Sequence, residues 1–110
     1  MAGYRYTRKA KLGVVGVDSG QLVVIDPCCI EDICRDGVQA FYKAACGVRA
    51  NVNQGGQVNY AHGDAGLAVA FASGFGDGVY EVFAHYIDAG DSWGERIGRI
   101  EIVLEDGGWS

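Results

Sequence analysis

Apolar and polar positions alternate along much of the chain, and the alternation predicts strands. Ile100, Ile102 and Leu104 alternate with Arg99, Glu101, Val103 and Glu105, giving one buried and one mostly wet face, as in an antiparallel sheet. Tyr80, Val82, Ala84 and Tyr86 alternate in the same way with Glu81, Phe83 and His85. Phe83 on the second face predicts that both faces are partly covered. Asp88 to Glu95 is then the hairpin loop into the final strand. Lys11 to Val17 and Gln21 to Ile25 are apolar runs split by Asp18-Ser19-Gly20, short enough for a tight hairpin. A further apolar run, Leu67 to Ala72, is separated from Val79 to Tyr86 by Gly74-Phe75-Gly76-Asp77-Gly78. Glycine reaches positive φ without a Cβ clash, so this segment is a hairpin, a bulge or a binding loop.

Between these runs the pattern changes. Asp26 as N-cap and Pro27 at the first helical position start a short helix through Cys28 to Arg35, with Glu31 and Asp32 near its positive end and Asp36-Gly37 stopping it. Val38 to Ala50 reads two ways. Val38, Phe41, Tyr42 and Ala45 fit a helical face, whereas Tyr42, Ala44, Cys46, Val48 and Ala50 fit a strand, and the strand is favoured. Polar, glycine-rich Asn51 to Gly66 is expected to be a loop or an irregular hairpin. The turn-then-strand unit recurs at Asp18, Asp64 and Asp77, but its spacing is too irregular for a solenoid or propeller and marks shared turn chemistry. The expected fold is therefore mainly β: an antiparallel β-sandwich or small barrel with one short helix, with an α+β arrangement as the alternative. All 110 residues are expected to form a single domain.

Composition narrows the function classes. Hydrophobic residues make up 49% and charged residues 21%, which argues for a folded chain. The net charge of −5 leaves no basic stripe for a phosphate backbone, so duplex nucleic acid is not an expected partner. No apolar stretch reaches membrane-span length and Met1 to Lys11 lacks a signal-peptide core, so a cytoplasmic location and no membrane partner are expected. Cys28, Cys29, Cys34 and Cys46 are expected as reduced thiols. Their spacing, even with His62 and His85, matches no standard zinc finger or ribbon, and no cofactor or metal is expected. The edge strands and apolar content point to a homodimer.

Val17-Asp18-Ser19-Gly20-Gln21-Leu22, Ile25-Asp26-Pro27-Cys28 and Ser73-Gly74-Phe75-Gly76-Asp77-Gly78-Val79-Tyr80-Glu81-Val82 resemble a family of small hypothetical proteins from bacteria and their phages. The second motif is also similar to the core of the domain of unknown function 4241. The resemblance runs from about Lys11 to Leu104 and implies an accessory or mobile gene, without an established activity. Members of the family often carry an aromatic residue after the Asp-Pro-Cys triplet, where this chain has Cys29. The phage association also implies a signal-sequestering reading, with a nucleotide-like ligand held by backbone amides plus Arg35, Arg49 or Arg99.

The candidate chemistry lies at strand ends and loops. Asp18, Asp26 and Asp77 would divide acid and base roles or hold a divalent cation if the fold brought them together, although Asp before Gly is also ordinary turn chemistry. His62, in the glycine-rich loop, is a better functional candidate than His85, which is expected to be partly buried and hydrogen-bonded. Cys28 near a helix start, with His62 or His85 as base, is a further arrangement that no spacing demonstrates. The rings of Tyr42, Tyr60, Phe75, Tyr80, Tyr86 and Trp93 suit a pocket for a small planar or amphipathic ligand, a core edge or a subunit interface. Gly74 to Gly78 lacks the lysine and following helix of a P-loop and the βαβ context of a dinucleotide site. The leading expectation is a non-catalytic small-ligand or partner-binding module using Asp18, Gly20, Asp26, His62, Phe75, Gly76, Asp77, Gly78 and Tyr80. The alternatives are a small hydrolase built on the aspartates, with or without a metal, and a structural or interaction protein.

Overall fold

The computed structural model describes residues 3–107. The fold is mainly β, with two three-stranded antiparallel sheets and no closed barrel. The chain divides into two compact units, residues 17–77 and the flanking segments 1–16 and 78–110.

The flanking segments build one sheet from β1 (Tyr6–Val17), β5 (Gly78–Asp88) and β6 (Glu95–Val103), in the order β1-β5-β6. β5 and β6 are antiparallel, from Glu81 opposite Val103 to Asp88 opposite Glu95, with a register shift between His85 and Tyr86. Ala89 to Gly94 closes this hairpin where the loop was expected. Alternation gives the sheet two unlike faces. Lys9 pairs with Glu101 at 3.1 Å and Lys11 with Glu81 at 3.0 Å, while His85 Nε2 lies 2.9 Å from Glu101 Oε1. Leu12, Val14, Ile100 and Ile102 therefore belong to the opposite, apolar face. His85 is half-buried and hydrogen-bonded, as its pattern suggested.

Residues 17–77 build the second sheet, in the order β2-β4-β3, from β2 (Gln21–Ile25), β3 (Gly55–Val58) and β4 (Ala68–Ala72). Both pairings are antiparallel, with Val23 and Gly56 opposite Ala70. Pro27–Cys29 form a 3-10 turn leading into α1 (Ile30–Asp36), and Gly37, at φ 110°, begins α2 (Val38–Arg49).

Three readings are corrected or decided. Val38 to Ala50 is a helix rather than a strand, so the chain has more than one short helix. Phe41, Ala45 and Val48, spaced as one helical face, meet the cluster of Val58, Leu67, Ala68 and Ala70, and the alanines of the segment favour the helix. Gly55–Val58 is a strand inside the segment read as a loop or an irregular hairpin, and its antiparallel pairing with β4, the next strand, decides for the hairpin. Its Gly-Gly start hid it from propensity, yet a Cβ on Gly55 would stand 2.8 Å from Phe71 Cβ and 2.9 Å from the Ala70 carbonyl. Only glycine lets the strands meet there. Finally, β1 and β2 form no hairpin, nor do β4 and β5, because each pair is split between the two sheets.

Two predictions follow from the packing and the charge ladder. Gly55→Ala should destabilise the chain by about 1–3 kcal/mol through overpacking, whereas Gly47→Ala on α2, where a Cβ meets no neighbour within 4 Å, should stabilise it by about 0.5–1 kcal/mol; urea unfolding midpoints measure both. Glu101 is held below the ordinary carboxylate range by hydrogen bonds from His85 and then Lys9, and Glu95 by the hydrogen bonds of Arg8. Their stabilisation is complete above the unfolded value of about 4.3 and is lost as pH falls through the lowered folded values. A urea midpoint that drops between pH 5 and pH 3, with a shallower drop in Glu101→Gln and at high salt, is the expected result.

Candidate functional site

The sequence-selected residues fall into separate groups. Asp18 and Gly20 form the turn after β1, and Ser73 to Gly76 the turn after β4. The Ser73 amide donates to the Gly20 carbonyl at 3.1 Å, placing the two turns side by side at one end of the β2-β4-β3 sheet. Ser73 is fully buried, and its hydroxyl donates to the Gly76 carbonyl at 2.7 Å. Arg49, at the end of α2, donates through Nη1 to the Ser19 carbonyl at 3.1 Å. It braces the turn by that bond. Asp18 and Asp77 are exposed.

Phe75 departs from expectation. Its ring is 92% exposed, so it neither anchors the loop in the core nor walls a pocket. Gly74 and Gly76 on either side have φ of 68° and 111°, the left-handed backbone that carries the ring to the tip of the turn. Gly78 and Tyr80 belong to the other unit, at the start of β5.

Asp26 lies at the opposite end of β2 from Asp18, and a five-residue strand spans about 17 Å. Its Oδ1 accepts the Cys28 amide at 3.0 Å as the N-cap of the 3-10 turn. Asp18 and Asp26 therefore do not converge on one reacting atom. Among the described residues, no three His, Cys, Asp or Glu side chains gather as metal ligands. All four cysteines are free, with Cys28 and Cys34 exposed.

A cavity of about 270 Å³ lies elsewhere in residues 17–77, between the α1–α2 corner and the segment from Val58 to Leu67. Ile33, Phe41, Ala44, Val58 and Leu67 supply apolar wall, and Asp32, Asn59 and Tyr60 bring polar side chains. Each is placed by a local rule. The Asp26 cap and Pro27 start the turn that leads into α1, which carries Asp32 and Ile33. Gly37 then breaks direction so that α2 can present Phe41 and Ala44. The loop after β3 is closed by the Tyr60 amide donating to the Asp64 carbonyl and the Gly63 amide to the Tyr60 carbonyl, both at 2.9 Å. His62 stacks on Tyr60 with ring centres 5.2 Å apart and planes 22° apart, and its Nε2 lies 3.2 Å from Asp64 Oδ2.

Tyr60 joins loop to helix. Its hydroxyl lies 3.4 Å from Cys29 Sγ. That contact, then the Cys29 charge, burial, and the carboxylates of Asp32 and Asp26 raise its pKa above the usual value of 10. Tyr60 therefore stays protonated at neutral pH. Asp32 pairs with Arg35 one helical turn away, and its side chain is 30% exposed.

None of the nine selected residues lines this cavity, and His62 approaches it only through Tyr60. Tyr60 stood among the rings suited to a pocket. Phe41 and Ala44 were hidden by the strand reading of their segment, and the 3.6-residue spacing of Phe41, Ala45 and Val48 was the signal that could have found them. No family model, curated protein or solved structure matches the chain.

Replacing Asp26 separates a cap from a chemical group. Asp26→Ala should cost about 1 kcal/mol in urea unfolding and Asp26→Asn much less, because Asn caps equally well. Equal losses in the two variants would contradict the capping role.

Proposed function

We propose that the protein is a non-catalytic binding module whose small-molecule ligand occupies the cavity between α1, α2 and the loop after β3. The cavity itself carries the reading: a concave, mostly apolar recess with a few convergent polar groups is the usual form of a small-molecule site. At about 270 Å³ it falls just below the roughly 300–1,000 Å³ of drug-sized pockets, so its ligand is small. The hydrolase reading is not favoured, because Asp26 is engaged as a cap and lies a strand's length from Asp18.

A second reading is an interaction protein that pairs with a copy of itself. It is favoured by Leu12, Val14 and Ile100, each about half exposed on the apolar face of the β1-β5-β6 sheet. Among the described residues no helix is long and apolar enough to cross a membrane.

A thermal-shift screen of apolar fragments of about ten non-hydrogen atoms, run beside light scattering, decides between the two. Binding to the native state raises Tm by mass action. Fragments should raise Tm in the wild type and lose that effect in Ala44→Trp, which fills the cavity. A flat screen with a dimeric mass would favour the interaction protein, and equal shifts in Ala44→Trp would place the ligand elsewhere.

A further inference from the structure

We infer that the cavity selects a small organic cation, an ammonium group on a compact apolar body, over neutral or anionic molecules of the same shape. The inference rests on the cavity being the binding site, and it adds the charge of the ligand. Three observations carry it. The polar side chains at the wall include a carboxylate, Asp32, and among the described lining residues there is no lysine, arginine or histidine. Two aromatic rings, Phe41 and Tyr60, line the same recess, and ring faces attract an ammonium or guanidinium group through their quadrupole. The Asp32 and Asp26 carboxylates also act on the Tyr60 hydroxyl, as smaller contributions after its contact with Cys29 Sγ at 3.4 Å.

The geometry assigns each part of such a ligand a place. Ile33, Val58 and Leu67 take the apolar body. The ammonium donates to the Asp32 carboxylate, where a charge-assisted bond is about twice as strong as a neutral one. The Tyr60 hydroxyl, kept protonated, retains oxygen lone pairs that accept a further N–H. A carboxylate ligand would meet Asp32 as a like charge. Arg35 already pairs with Asp32, so it competes with the ligand cation and weakens it without abolishing binding. Its removal is therefore informative.

Isothermal calorimetry on the full chain at low salt, with 2-phenylethylammonium, 2-phenylethanol and 3-phenylpropanoate as probes, tests the inference. The ammonium should bind about tenfold more tightly than the alcohol, and the carboxylate most weakly. Asp32→Asn should remove the ammonium's advantage over the alcohol, and Arg35→Gln should increase it. Arg35→Gln keeps the carboxylate and serves as the second test should Asp32→Asn unfold. Equal binding of ammonium and alcohol, or tighter binding of the carboxylate, would overturn the charge preference and leave the cavity as a site for a neutral or anionic ligand. If none of the three binds and Ala44→Trp behaves as wild type in the fragment screen, the cavity is not a binding site and both readings fall.

Discussion

Side chains of minimal size set how closely α2 approaches its sheet. Ala45 on the helix is 1% exposed and Ala70 on β4 is 0% exposed. Gly56 on β3 lies beneath Val48, where a Cβ would come within 3.4 Å of the valine's own. Close-packed interiors do not absorb extra methylenes cheaply, so a larger residue at any of these positions would lift the helix or bend the strand. The position of Phe41 and Ala44 at the cavity wall follows from that contact, because both ride on the same helix. Gln21 extends the seam, its amide nitrogen reaching Cys46 Sγ at 3.5 Å.

The two sheets solve different problems with the same alternating pattern. In the β2-β4-β3 sheet one face is covered by α2, so small and apolar residues meet there: Val23, Ile25, Val58, Ala68 and Ala70. In the β1-β5-β6 sheet one face carries the ion pairs Lys9–Glu101 and Lys11–Glu81, with Lys9 set 4.3 Å over the Phe83 ring, and Arg8 pairs with Glu95 over Tyr86 on the other face. These exposed pairs contribute little singly and fix register more than stability. The chain passes twice from one unit to the other, at residues 16–17 and 77–78. Turns that look local are therefore crossings. The Ser73–Gly20 hydrogen bond shows why both are rich in Gly, Ser and Asp: the chain reverses sharply there while its backbone groups find partners nearby.

The aspartates that drew attention as chemistry have structural duties or open solvent around them. Asp26 caps a turn, and Asp18 occupies one. The polar side chains around the cavity came instead from Asp32, an acidic residue in a helix's first turn, and from Asn59 and Tyr60, in a loop. What distinguishes them is convergence on one recess, and a carboxylate gains importance when the walls around it are apolar and aromatic.

The strands other than Gly55–Val58, the β5–β6 hairpin, the Asp26–Pro27 helix start and its glycine stop were legible in the amino-acid order, because each depends on contacts within a few residues. Tertiary structure decided the rest. Val38 to Ala50 carried both periods at once, and the choice of helix came from the sheet that receives Phe41, Ala45 and Val48. Gly55–Val58 became a strand because β4 offered a partner with room only for glycine. Which strands pair is a long-range matter, so the turns at Asp18 and Gly74 could be written in hairpin chemistry and still join different sheets. The cavity is the furthest from the sequence, since its walls come from two helices, a strand end and a loop that meet only after the chain has folded.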